Sequence, residues 1–164
     1  MIKKKQIILL NAPIKCFLIQ NNILPINKWN KFKIIHYKKI QNKEEKSITK
    51  KLIQHNVEDR AGLYAYMKGD KLLYVGKAKK LKDRIFSHYK EAFYIPKEKD
   101  KSRAWPDFFA KYAGNLTVYW IEVSVEEERK IGEQMIEYIK QSEFNKEYPV
   151  GLRTIASRKK AGLK

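Results

Sequence analysis

The sequence predicts a small α/β domain in which a central antiparallel sheet of three strands is flanked by helices. Three observations support this prediction. They are a hairpin pattern near the middle of the chain, a later run of β-branched and aromatic residues, and two segments with helical spacing of apolar residues. The predicted strands are Leu63–Met67, Leu72–Val75 and Leu116–Val123, and the predicted helices are Lys77–Tyr89 and Glu126–Gln141.

The hairpin is predicted by two apolar and aromatic runs on either side of a turn sequence. Lys68-Gly69-Asp70 separates Gly62–Met67 from Lys71–Val75, and a glycine at the turn can adopt the positive φ that a tight connection needs. Gly76 is expected to end the second strand, after which the chain passes into the first helix. That helix has one apolar stripe, formed by Ala78, Leu81, Ile85 and Tyr89.

The clearest strand is Leu116–Val123, because β-branched and aromatic residues dominate it. Ser124 is expected to cap the helix that follows, whose first turn carries the acids Glu126–Glu128. The polar and aromatic connection Glu91–Phe109 lies between the first helix and this strand. Loops of this length are uncommon and often functional, so it either lies over the substrate or is an insertion with one buried tryptophan.

The charge of the chain favours a polyanionic partner. The chain has 36 Lys and Arg against 18 Asp and Glu, a formal charge of +18, which indicates nucleic acid more strongly than a merely solvated basic surface. The single Cys16 excludes an internal disulfide and a multi-cysteine zinc site, consistent with a reducing cytoplasm. No stretch approaches the roughly 18 apolar residues of a membrane span, so no membrane partner is expected.

Residues 1–57 form a lysine-rich N-terminal extension in which short apolar pieces alternate with Asn, Pro and Lys. Within it, Phe32–Tyr37 is a candidate edge strand and Ser47–Gln54 a candidate helix capped by Ser47. The extension is either an accessory DNA-contacting surface or a structural flap with a solvated lysine face. His36 and His55 lack partners at metal-binding spacing and are interpreted as incidental. A second unit over 58–150 and a basic tail over 151–164 complete the predicted division.

Two triplets in the hairpin carry a family resemblance. Gly62-Leu63-Tyr64 is followed, ten residues on, by Tyr74-Val75-Gly76, then by Lys77 and by Arg84 eight residues after the last glycine. This pattern resembles the signature of the GIY-YIG nucleases, with leucine and valine in place of two isoleucines. The segment Leu73–Arg84 is especially similar to the N-terminal nuclease domain of the bacterial excision-repair endonuclease. The resemblance covers residues 59 to about 150 and implies a GIY-YIG-like fold.

The resemblance also implies a set of catalytic residues. Glu133 lies on the later helix, where the family places its metal-binding glutamate, and Asn145 follows at the family's distance. Glu137, one turn further on, is the alternative to Glu133. The implied catalytic residues are Tyr64, Tyr74, Lys77, Arg84, His88, Glu133 and Asn145, with Glu133 as the ligand of Mg²⁺ or Mn²⁺.

Hydrolysis of a phosphodiester needs an activated water, neutralisation of charge in the transition state and help for the leaving oxygen. Mg²⁺ often needs only one or two protein carboxylates, so one glutamate is enough to hold it. Tyr64 is the predicted acceptor of the proton from water, and Arg84 with Lys77 is predicted to hold phosphate oxygens. His88 is predicted to orient Tyr64 or the water.

The predicted function is therefore divalent-metal-dependent endonucleolytic cleavage of DNA phosphodiester bonds. Two alternatives stay open. One is a catalytically silent nucleic-acid-binding module of the same fold, and the other is a basic interaction protein of a repair or ribosomal assembly. The sequence makes no prediction of the DNA substrate or of the oligomeric state.

Overall fold

A four-stranded antiparallel sheet forms the centre of this computed structural model, which describes residues 12–36, 42–91, 104–148 and 162. In space the strands lie in the order β1-β4-β2-β3. The predicted class, an antiparallel sheet flanked by helices, is confirmed, but the predicted number of three strands is wrong. The strands are β1 (Asn30–His36), β2 (Gly62–Lys68), β3 (Lys71–Ala78) and β4 (Gly114–Glu122).

The additional strand β1 comes from the N-terminal extension. It pairs with β4 along its whole length, from Asn30 opposite Trp120 to His36 opposite Gly114. Its apolar side chains alternate, and Phe32 and Ile34 are buried, as expected for a strand with one face on a core. The candidate strand Phe32–Tyr37 thus exists with somewhat earlier bounds, whereas the boundary at residue 57 stays a prediction.

The hairpin forms as predicted, but its second strand is longer than expected. Gly69 has φ +59 at the turn, the left-handed conformation that a glycine adopts without steric cost. Gly76 does not end the strand, because Lys77 still lies opposite Leu63 in the ladder and Ala78 opposite Gly62. The helix predicted from Lys77 consequently begins only at Leu81.

Helices cover both faces of the sheet. Residues 12–20 form α1, and a single 3₁₀ turn spans Ile26–Lys28. Among the described residues, no helix combines the length and apolarity needed to cross a bilayer. The other helices are α2 (Lys43–Asn56), α3 (Leu81–Glu91), α4 (Ala104–Lys111), α5 (Glu126–Lys140) and α6 (Glu143–Glu147).

Three helix predictions need correction. Helix α2 begins before Ser47, because Asn42 forms a capping box with Glu45, each side chain accepting from the other's backbone N–H. Helix α4 lies inside the connection predicted as a loop, of which residues 92–103 fall outside the described part. Helix α5 has Val125 rather than Ser124 at its N-cap, without a side-chain cap. The guanidinium of Arg129 donates to the Ser124 carbonyl instead, at 2.5 Å.

The alternation of side chains along β2 and β3 divides the interior into two cores. On one face, Leu63 and Val75 pack with residues of α1 and α5, including Leu18 and Ile136. On the other face, Tyr64, Tyr66 and Leu73 belong to the second core. Residues of α2, α3, α4 and α6 complete that core, among them Ile53, Ile85, Phe108 and Phe144.

His36 lies in the second core and is not a surface residue. It is fully buried, and its ring stacks on Phe109 with centroids 4.3 Å apart. Neither ring nitrogen has a hydrogen-bond partner in the described part of the chain. Burial, together with the nearby His88, lowers the pKa of His36 from 6.5 to about 3. The side chain is therefore neutral in the native state at neutral pH.

The low pKa of His36 predicts a loss of stability in acid. Below about pH 6.5 the His36 imidazole is protonated in the unfolded chain, whereas in the native state it stays neutral down to about pH 3. The free energy of unfolding should therefore fall by about 2 kcal/mol between about pH 6.5 and 4.5. Urea unfolding at both pH values measures this change. His36→Phe should lose most of the pH dependence of the free energy of unfolding, whereas His55→Gln, at an exposed position, should retain it. An unchanged pH dependence in His36→Phe would contradict the low pKa of His36.

Candidate active site

A cleft lies along the outer side of β3, the last strand in the order of the sheet. Helices α5 and α6 both pack against this strand. The cleft has a volume of about 380 Å³, which is enough for a phosphate group and several waters. Its lining residues are Tyr74, Val75, Glu133, Gln134, Glu137, Tyr138 and Asn145. Three of the predicted catalytic residues, one each from β3, α5 and α6, thus share one opening.

Glu133 and Lys77 form an ion pair at this cleft. The Lys77 ammonium donates to Glu133 Oε2 at 2.7 Å, and the side chains are 35% and 22% exposed. The pair forms because the extra length of β3 carries Lys77 past Gly76 to a position facing α5. Within the described residues, Glu133 Oε1 has no hydrogen-bond partner. One carboxylate oxygen of Glu133 is therefore open to a further ligand.

The hydroxyls of Tyr64 and Tyr74 converge over Gly76. The two rings lie 5.8 Å apart between centroids, and a methyl group built on Gly76 would lie 2.7 Å from each hydroxyl oxygen and 2.6 Å from a ring carbon of Tyr74. Gly76 is therefore required for this close approach and not for a positive φ. The sequence predicted that Gly76 ends the strand. The structure instead gives this glycine the role of allowing the two tyrosines to approach each other.

Adding a methyl group at Gly76 should displace both tyrosines. Gly76→Ala creates contacts shorter than any that Cβ atoms normally make, so we expect destabilisation by about 1–3 kcal/mol and loss of any catalysis that uses the tyrosines. Thermal unfolding and tyrosine fluorescence check this. Gly69→Ala, at a turn with open space around the glycine, serves as a comparison in which only backbone strain is added. Wild-type tyrosine packing in Gly76→Ala would contradict the proposed contact.

Tyr64 lies entirely inside the protein, behind Tyr74. Its hydroxyl forms a hydrogen bond of 2.6 Å with His88 Nε2. Burial, reinforced by Tyr74 and only partly opposed by Arg84, raises the pKa of the Tyr64 hydroxyl well above its ordinary value. Tyr64 thus keeps its proton at neutral pH and has no surface for a water molecule. This disfavours the predicted direct proton transfer from water to Tyr64.

His88 and Trp105 form the inner wall of the site. The two rings lie 3.9 Å apart between centroids, and Trp105 also packs against Tyr74 and Phe144, at 4.7 Å and 4.3 Å. Trp105 lies at the start of α4. The sequence predicts that this segment either lies over the substrate or is an insertion with one buried tryptophan. The packing of Trp105 shows a structural role, since it holds the imidazole and the phenol in place.

The remaining predicted residues surround this cleft at different depths. Arg84 is exposed on the first turn of α3. Its charge is near enough to Tyr64 to lower the phenol pKa. Arg84 lines a neighbouring groove and not the Glu133 cleft.

Asn145 is half-buried on α6. The backbone N–H of Asn145 donates to the hydroxyl of Ser142, the N-cap of this helix, at 3.4 Å. Glu137 Oε1 accepts from the Ser142 N–H at 2.8 Å. The alternative carboxylate therefore supports the corner between α5 and α6.

The oxygen atoms of the cleft fit a hard divalent cation. Glu133 offers one open carboxylate oxygen, and the Asn145 side chain lines the same space. In the part of the chain that the structure describes, no three His, Cys, Asp or Glu side chains cluster as a metal-binding group. Mg²⁺, which keeps several waters and accepts a single protein carboxylate, suits such a site, whereas a four-ligand structural zinc site does not.

Comparison with known proteins gives one sequence relative and several solved structures. No model of a known protein family matches the chain. Over 48 residues, 29% of its length, the chain is 44% identical to UvrABC system protein C of Aquifex aeolicus (strain VF5). This chain resembles UvrC. The aligned segment spans only 8% of that relative, and the predicted family resemblance is confirmed at this level.

The solved structures are of the GIY-YIG N-terminal endonuclease domain of UvrC from Thermotoga maritima. The domain bound to magnesium as its catalytic divalent cation is 22% identical and has a TM-score of 0.43. The match covers 63% of this chain and 99% of the domain. A point mutant of the same domain, also bound to its catalytic divalent cation, gives 22% identity and a TM-score of 0.43, over 63% of this chain and 98% of the domain.

Proposed function

We propose that this chain is a divalent-metal-dependent endonuclease that hydrolyses DNA phosphodiester bonds. The observation that carries the proposal is the convergence of Glu133, Lys77 and Tyr74 at the β3 cleft, where a carboxylate, an ammonium and a partly exposed phenol meet. The similarity to UvrC, a component of the UvrABC system, supports DNA as substrate and DNA repair as context. The formal charge of +18 is consistent with a polyanionic substrate.

Glu133 would hold the cation, and Asn145 lines the same cleft. When bound, Mg²⁺ or Mn²⁺ would act as a Lewis acid that stabilises the phosphate and the leaving oxygen. The Lys77 ammonium, which is partly exposed beside Glu133, would bind a non-bridging phosphate oxygen. Arg84, exposed on α3, contributes a second positive charge on the neighbouring side.

Tyr74 is the phenol placed to accept a proton from the attacking water. It lines the cleft, whereas Tyr64 is fully buried behind it. Because the Tyr74 and Tyr64 hydroxyls converge over Gly76 and Tyr64 is hydrogen-bonded to His88 Nε2, a proton taken up by Tyr74 can be matched by transfer from Tyr74 to Tyr64 and from Tyr64 to His88 Nε2. This relay requires no long-lived phenolate, because the proton ends on the imidazole of His88.

The direct experiment is incubation of the full chain with Mg²⁺ or Mn²⁺ and a panel of duplex, flap, branched and single-stranded DNA, with the fragments mapped. Cleavage that requires the cation and stops with EDTA supports the proposal. Binding of the same DNA without any cleavage would instead support the catalytically silent module. Failure to bind DNA at physiological salt would favour a basic interaction protein.

A further inference from the structure

Helix α2 of the N-terminal extension is fixed against α3. Thr49 on α2 donates from its hydroxyl to the Tyr89 hydroxyl of α3 at 3.3 Å in a buried position, and Ile53 is completely buried in the core that these helices share. The indole of Trp120 also donates to the carbonyl of Asn56 at 3.0 Å. Side chains on the outer face of α2 are therefore held in a defined position relative to α3.

Phe86 on α3 brings two lysines of different helices together. Lys50 Nζ of α2 lies 5.8 Å from the centroid of the Phe86 ring, and Lys90 Nζ of α3 lies 5.1 Å from it. Both lysines are exposed, and neither ammonium is paired with an acid among the described residues. The ring stabilises each cation modestly and leaves two unpaired like charges on one small patch, which attracts an anion.

An open groove along α3 leads from this patch towards the candidate active site. Its volume is about 600 Å³. Arg84 lines the groove near Tyr64, and Lys90 also lines it while lying over Phe86. The two residues are six positions apart, or about 9 Å along the helix axis. The lining residues are Ala78, Lys79, Lys80, Asp83, Arg84, Ser87 and Lys90, four cations and one acid.

We propose that the α2–α3 surface, formed by this groove with Lys50 and Phe86, holds the phosphate backbone of duplex DNA that extends from the cleavage site. This inference rests on the proposed function and adds to it the path of the substrate. Each strand of B-DNA advances about 3.4 Å per phosphate along the axis, so the distance from Arg84 to Lys90 corresponds to two or three phosphates. Lysine contacts to phosphate position the duplex and do not read its sequence.

The test uses the Glu133→Gln chain, which keeps the DNA in place without cutting it. Binding of a 30-base-pair duplex is measured between about 50 and 200 mM salt, with and without Lys50→Ala and Lys90→Ala together. Loss of two phosphate contacts should reduce the slope of log K against log salt by about 1.8. Raising the salt fourfold should therefore weaken binding by the double variant about twelvefold less than it weakens binding by Glu133→Gln alone. The change should be the same for unrelated duplex sequences.

A matched control removes the same charge from the opposite side of the sheet. Lys28 and Lys140 are exposed and without an acid partner in the described part of the chain, so Lys28→Ala with Lys140→Ala should leave the slope close to that of Glu133→Gln alone. Lys50→Glu by itself should act like the double variant, because its carboxylate would pair with Lys90. Equal slopes for the test and control variants would overturn the surface and leave the nuclease proposal standing, whereas absence of cation-dependent cleavage by the wild-type chain would overturn the nuclease proposal.

Discussion

Replacing Glu133 with glutamine should lower the rate of DNA cleavage by about 10³-fold, the scale expected when a charge-stabilising group of an active site is lost. Glutamine keeps the shape of the side chain but removes the charge that holds the cation. The lost ion pair with Lys77 is partly exposed, so the melting temperature should change little. Duplex binding should persist. Single-turnover cleavage, thermal unfolding and DNA binding on one preparation check the three expectations.

Two comparisons make this result specific to Glu133. Glu127→Gln, on an exposed position of the first turn of α5, removes the same charge without touching the cleft and should leave cleavage unchanged. Glu137→Gln should loosen the corner between α5 and α6, because Glu137 accepts from the Ser142 N–H. If Glu133→Gln keeps activity and Glu137→Gln loses it, the metal site lies one turn further along the helix.

Replacing Tyr74 with phenylalanine should lower the rate by roughly 10²–10⁴-fold, the usual contribution of a general base. The variant retains the ring that packs against Trp105 and Phe144, so the fold should be maintained. Tyr64→Phe breaks the relay at its middle and should also reduce the rate, by about 10²-fold. It should in addition destabilise the fold by about 1–3 kcal/mol, because His88 then loses a buried hydrogen-bond partner.

A comparison of rates separates a role of Tyr64 in the relay from a role in packing. Single-turnover rates of wild type and of Tyr64→Phe are measured on folded protein. A folded Tyr64→Phe chain with the wild-type rate would mean that the tyrosine acts only in packing.

The parts of the fold that the sequence predicts are those set by local chemistry. The turn at Gly69 and the β-branched run of β4 follow from the conformational preferences of the residues themselves. Helix α4 lies in the connection predicted as a loop, and it contains Pro106. Proline is tolerated in the first turn of a helix, where its missing N–H would have no partner, and the aromatic packing of Trp105 and Phe108 then stabilises the helix.

The resemblance selects residues for the candidate site but does not give their depth in the protein. It selects Tyr64 and Tyr74 through the two triplets, and Glu133 through its place on the later helix. The triplets contain no information on which tyrosine faces solvent, because the burial of Tyr64 results from the packing of α3 and α4 over the sheet. The roles assigned to the individual residues stay predictions, as does the location of the chain in the cytoplasm.

The most direct test is nicking of a supercoiled plasmid by the full chain, with Mg²⁺, with EDTA, and with Mg²⁺ in the Glu133→Gln variant. We expect conversion to nicked circles only by wild-type protein with the cation, at a rate proportional to enzyme concentration. Equal nicking by wild type and Glu133→Gln, or nicking that persists in EDTA, would contradict catalysis at the β3 cleft.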